Sequence, residues 1–171
     1  MCRFCKRRTN IKLSEYIEKY GDCEVTDEID KCIVKAPKTV YDLKCGDRYF
    51  FLTASGIVPE GTWSDDDSDF DRRRIGNMFL TKEEAKFAKE RLKVIAELKK
   101  YAKEFSDEEW MNQSIEKHYI IFDYENHVIE IGYVCYLKGN DIHFESEEKA
   151  REAIKWVGED RVKKYYLGVK E

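Results

Sequence analysis

Residues 81–105 constrain this chain more than any other stretch, because they spell out a long, capped, one-sided helix. Thr81-Lys82-Glu83-Glu84 is the pattern of a capping box, in which a threonine hydroxyl satisfies one orphan amide and a glutamate three residues on reaches back for another. Behind it, Ala85, Ala88, Leu92, Ile95, Ala102 and Phe105, with Leu98 beside them, recur at helical spacing, and Lys and Glu fill the other face. A helix built this way needs an apolar surface to lie on, and the chain on either side offers strands.

Upstream, Cys45-Gly46-Asp47 reads as a turn and Arg48–Thr53 as an aromatic strand. Ser55-Gly56 turns the chain into Ile57-Val58, where Pro59 weakens the strand or places it at an edge. Met78-Phe79-Leu80 is a further strand after a Gly76-Asn77 turn. Downstream, a polar connector over 106–117 leads to strands at Tyr119–Phe122 and Val128–Tyr136, flanking a turn at Glu125-Asn126-His127, and to Asp141–Phe144. Ser146 then caps a second helix with Glu147 and Glu148 in its first turn. MFLTKEEAKFAKERL and IHFESEEKAREAIKW share one order: apolar strand, hydroxyl cap, paired glutamates, alanine-spaced helix.

The expected fold is therefore α+β, a mainly antiparallel sheet with two principal helices on one face, in a duplicated strand-strand-strand-helix plan. The same pattern also arises from generic helix punctuation without any duplication. Residues 1–44 are set apart as a short helical segment (about 11–20, with a second short helix from Thr26) and an extended connector around Pro37. Residues 45–171 form the α+β domain, with repeats at 45–105 and 117–168.

Asp65, Asp67, Asp69 and Asp71 recur every second residue, with Asp66 among them, and run straight into Arg72, Arg73 and Arg74. The alternation imitates a calcium loop, but the sixth position is Phe70 where a sharp turn needs Gly, and the twelfth is Gly76 where a closing Glu is needed. The run is expected to be an acidic loop balanced by its arginines, available to a basic groove on a partner, with Trp63 as an interface anchor. A formal net charge of −4 points away from a general nucleic-acid binder.

Cys2-x-x-Cys5 is half a zinc site, but Cys23 and Cys32 do not provide the other half. No cofactor or metal is expected. His118, His127 and His143 are dispersed, and no Gly-x-Ser-x-Gly elbow, phosphate loop or metalloprotease helix is present. Asp123 and Glu130 on adjacent strands suggest a nuclease pair, yet alternation on a half-wet sheet explains them equally well. No apolar run is long enough to span a bilayer and no signal-peptide core follows the charged N-terminus, so a cytoplasmic protein is expected.

TVYDLKCGDRYFFLTASGIV (39–58), TWSDDDSDFDRRRIGNMFLTKEEAKFAKERLKV (62–94), the closing GEDRVKKYYLGV and the opening LSEYIEKYGDCEV resemble small accessory proteins of phages and prophages of Gram-positive bacteria. That resemblance implies a mobile-element gene, a frequent home of inhibitors of host defence, and brings no catalytic or cofactor residues with it. MCRFCKRR is not part of the resemblance.

Three functional expectations follow. The first is non-catalytic binding to a host defence or nucleic-acid-processing protein, in the manner of an anti-CRISPR inhibitor, through Trp63 and Asp65, Asp66, Asp67, Asp69 and Asp71, with Arg72–Arg74 holding the loop in shape. The second is nucleic-acid binding by the lysine face Lys86, Lys89, Lys93 and Lys100. The third is a metal-dependent nuclease built on Asp123 and Glu130.

Overall fold

The structure, a computed structural model, describes residues 39–139 and 141–170. The expected N-terminal helices, the extended connector up to residue 38 and the cysteines at 2, 5, 23 and 32 lie outside the described residues. The chain folds as α+β, with helices and two small antiparallel sheets. The sequence reading divides the chain at residue 44. The compact units divide it after Lys82.

In the first unit, Thr39 and Asp42 cap a single 3-10 turn at Val40–Asp42. Strands β1 (Arg48–Phe50) and β2 (Glu60–Thr62) pair antiparallel, with Tyr49 opposite Gly61. The hairpin turn stands at Ser55-Gly56 as expected, with Gly56 at φ 76°, but although the Thr53 amide donates to the Ile57 carbonyl at 3.0 Å, the second strand begins only at Glu60 and Ile57-Val58 is not part of it. Helix α1 (Asp67–Arg74) follows. The expected strand at 78–80 reduces to one bridge, Phe79 against Phe50. Leu43, Tyr49, Trp63 and Met78 form the core of this unit.

Asn77 splices its own side chain into the unit. Its Oδ1 accepts from the Leu52 amide and its Nδ2 donates to the Leu52 carbonyl, both at 2.8 Å. The amide side chain thus does the work of a backbone partner where the ladder has ended.

The long helix α2 runs Lys82–Lys99, with Glu83 and Glu84 in its first turn. It stops short of Phe105, because the Lys103 amide donates instead to the His143 carbonyl at 2.9 Å. Its buried stripe keeps the expected Ala85 and Leu98, but Leu92 is 60% exposed and Val94, outside the expected set, is buried. Nine residues at 3.6 per turn put Ala85 and Val94 about half a turn apart, so the helix is covered on opposite sides at its two ends.

Helix α3 (Asp107–Met111) occupies what reads in sequence as connector. Ser106 and Glu109 form its capping box, and Trp110 is buried edge-on to Phe105 and His143. Strands β3 (Lys117–Asp123) and β4 (Val128–Val134) pair antiparallel, with Tyr119 opposite Gly132. The expected third strand is again one bridge, Phe144 against His118.

Helix α4 (Glu147–Val157) starts on the Ser146 cap. It ends at Gly158, whose φ of 97° is open to glycine at little cost. A short turn, Glu159–Arg161, and a π-helical turn, Val162–Tyr166, close the chain. Val94 and Leu98 of α2 share a buried cluster with Ile120, Ile142, Phe144, Val162 and the Ala150, Ala153 and Val157 face of α4. Arg161 locks the C-terminal turn to α2 through two bonds to Glu97, at 2.7 and 3.1 Å.

The two halves follow one chain order. Each has a hairpin, then a Phe that bridges the hairpin's first strand, then a helix starting three residues later. The bridge falls one residue after the cross-strand Tyr in the first case (Phe50) and one before it in the second (His118), so the two are not in the same register.

Among the described residues, no helix is long and apolar enough to cross a membrane.

Candidate functional site

The run Ser64–Arg74 is a helix with its cap, where the sequence suggests a loop. Asp65 takes φ 65° and turns the chain, and Asp66 becomes the N-cap, accepting from the Asp69 amide at 2.9 Å. Ser64 and Ser68 hydroxyls donate to the same carboxylate, each at 2.8 Å. The Ser64 hydroxyl above all, then the Asp69 amide and Ser68, hold the Asp66 carboxyl down at about 2. Crowding carboxylates into the first turn is favourable for a second reason, since a helix N-terminus carries partial positive charge. The three arginines fall in the last turn, where the sign is reversed.

Asp69 points inward and is 1% exposed. Its Oδ1 accepts the Tyr49 hydroxyl at 2.5 Å, and its Oδ2 accepts the Ser64 amide at 2.7 Å and the Ser64 hydroxyl at 3.1 Å. Burial pushes its carboxyl up, but the bonds from Tyr49 and Ser64 outweigh burial and leave it lowered. Burial and the bond to Asp69 push the Tyr49 hydroxyl up. Arg72 completes the group. It donates to the Tyr49 oxygen at 2.5 Å, stands 3.5 Å from Asp69, and lies 4.0 Å over the Phe51 ring.

The expected contact surface therefore separates into two sets. Asp65, Asp66, Asp67 and Asp71 are exposed. Trp63 and Asp69 are not available to a partner in this fold. Trp63 is 3% exposed and packs edge-on against Phe70, and the Asp69 carboxylate is used inside the unit. Arg72 does more than balance charge, because it anchors the helix to β1 through Tyr49. Arg74 pairs with Asp71 at 3.4 Å on the surface, while Arg73 lies among rings.

The other candidates are placed as follows. Lys86, Lys89 and Lys93 fall on one strip of α2 by helical spacing, with Lys93 paired to Glu90 at 2.7 Å, and Lys100 lies just past the helix end. Asp123 caps the β3–β4 turn, accepting from the Glu125 amide and twice from Asn126, while Glu130 pairs with Ile121 in the ladder. The Asn126 side-chain bond, then the turn amides, lower the Asp123 carboxyl. Among the described residues, no group of three or more His, Cys, Asp or Glu is placed to hold a metal ion.

Sequence reasoning missed Lys117. Its side chain is fully buried, and Nζ donates to the carbonyls of Asn112 at 3.1 Å and Cys135 at 2.5 Å, beneath the Trp110 ring. Only the Ser106-x-x-Glu109 box, which announces α3, could have drawn attention to this region.

Comparison of the chain with protein-family models, curated proteins and solved structures returned no match.

Proposed function

We propose that this protein acts by binding, as a phage or prophage accessory protein in the host cytoplasm that inhibits a host defence or nucleic-acid-processing protein in the manner of an anti-CRISPR inhibitor. The observation that carries the reading is the division of labour within one short helix. Asp69 fixes α1 from inside through Tyr49 and Ser64, so that Asp65, Asp66, Asp67 and Asp71 are presented from a fixed support. Carboxylates set in a fixed array match an arginine- or lysine-lined groove without first losing loop entropy.

The test is capture from host lysate by the native protein and by a D65N/D66N/D67N/D71N variant. Asn remains a good N-cap, so the variant is expected to fold and to lose the partner. A folded variant that captures the same protein as well as the native chain removes the acidic surface from consideration.

The lysine strip of α2 supports a second reading, nucleic-acid binding. Its mark is an affinity that falls steeply with added salt. No binding of RNA or DNA at low salt eliminates it.

A further inference from the structure

Arg73 is held by aromatic rings and by no carboxylate. Its guanidinium carbon lies 4.5 Å from the Trp63 ring centre, 5.1 Å from Phe70 and 5.7 Å from Tyr41. Its neighbours in sequence are both paired, Arg72 to Tyr49 and Asp69, and Arg74 to Asp71. Among the described residues, no hydrogen bond or ion pair reaches the Arg73 side chain. Ring contacts steady the cation while leaving its planar N–H fork without an acceptor. Of those rings Tyr41 is 73% exposed. Arginine and tyrosine side by side at a surface are residue types that interface hot spots favour.

Nearby charge selects among the anions that could fill the fork. Ser64–Arg74 carries five aspartates and three arginines, a net of −2. Asp67 stands about 9 Å of helical rise from Arg73 and about a third of a turn around the helix from it. A polyanion laid along α1 meets repulsion at the acidic end. A single carboxylate with a basic side chain beside it meets opposite charge at both ends.

We infer that Arg73 anchors a docking surface for a protein segment bearing a carboxylate and, toward the N-terminal end of α1, a lysine or arginine. The carboxylate takes the guanidinium fork through two parallel hydrogen bonds. The basic side chain lies against Asp65, Asp66 and Asp67, and apolar neighbours of the carboxylate rest on Tyr41. This deepens the reading of α1 as a contact surface and rests on it.

The experiment is side-chain NMR of the arginine Nε–Hε groups in the full-length protein. Sodium acetate serves as the carboxylate probe, a single-stranded oligonucleotide as the competing polyanion, and exposed Arg91 as the internal reference. Because the clamped side chain has less freedom to lose, its resonance is expected to half-saturate at about tenfold lower acetate than that of Arg91. Arg73→Lys is expected to weaken partner capture, and the oligonucleotide is expected to leave Arg73 unmoved. Equal acetate responses from Arg73 and Arg91, or an oligonucleotide that shifts Arg73 more readily than acetate does, overturn the inference. Failure of the acidic-surface reading looks different: the four-aspartate variant keeps its partner while Arg73 still binds acetate.

Discussion

The Tyr49 hydroxyl joins two elements at a single atom: it donates to Asp69 and accepts from Arg72, both at 2.5 Å. Ring and carboxylate are both enclosed, so neither has water to fall back on. Tyr49→Phe leaves the Asp69 carboxylate short of its strongest donor and is expected to cost about 2 kcal/mol. Urea unfolding checks this, and a variant within a few tenths of wild type sinks the account of α1 as pinned from inside.

The same group sets the acid limb of stability. Asp69 and Asp66 both have folded values below the ordinary carboxylate range, Asp66 at about 2. A carboxylate lowered on folding contributes stability that is fully present above its unfolded value and is lost as pH falls through the folded one. Stability is therefore expected to hold down to about pH 4 and to decline toward pH 2. Asp66→Asn should flatten that decline, and Tyr49→Phe should flatten the part due to Asp69, because without the Tyr49 bond burial brings the folded Asp69 carboxyl back toward its unfolded value. Urea midpoints between pH 7 and pH 2 report both.

Two glycines face tyrosine rings across their hairpins. A Cβ on Gly61 would sit 2.8 Å from Tyr49 Cζ, and one on Gly132 would sit 3.0 Å from Tyr119 Cζ. Tyr49 is buried and tied to Asp69 and Arg72, whereas Tyr119 is half-buried. Gly61→Ala is expected to cost about 1–3 kcal/mol, and Gly132→Ala less, because the second ring can swing aside. Thermal unfolding of the two variants decides the order, and a more harmful Gly132→Ala contradicts it.

Asn77→Asp keeps the size of the side chain but removes the donor to the Leu52 carbonyl. The remaining oxygen would then oppose that carbonyl. A loss of about 1–3 kcal/mol is expected. Asn77→Ser, too short to reach both backbone groups, should do no better, and urea unfolding of both variants tests the point.

Lys117→Met preserves the length of a buried side chain and strips two carbonyls of their donor. The expected loss is about 1–3 kcal/mol. It should come with a shift of the Trp110 indole resonance, since Nζ lies 5.4 Å from that ring. An unmoved indole would mean that the ammonium does not hold α3 in place.

What could be read ahead followed from local rules. The helices after Thr81 and Ser146 announce themselves by a hydroxyl, paired glutamates and spaced alanines. The turns at Gly56 and His127 follow from residues that tolerate positive φ. What escaped depends on distant partners. Nothing local shows that Asp69 faces Tyr49, twenty residues earlier, so an internal ligand of the fold passes for one more surface charge. Trp63 invites the same error in reverse, since an apolar anchor and a core residue have the same composition. The phase of α2 escaped because Leu92 fits an apolar stripe in sequence, while the actual cover lies over Val94 and Leu98.

The tyrosine–glycine pairs also fix the alignment of their hairpins. A hairpin that slips by one residue sets Tyr49 against Glu60 or Thr62 instead of Gly61, and Tyr119 against Ile131 or Tyr133 instead of Gly132. Each of those positions has a side chain where the ring must lie, and the slip also turns every neighbour to the wrong face. Each pair therefore works as a keyed joint that admits one alignment and rejects those beside it.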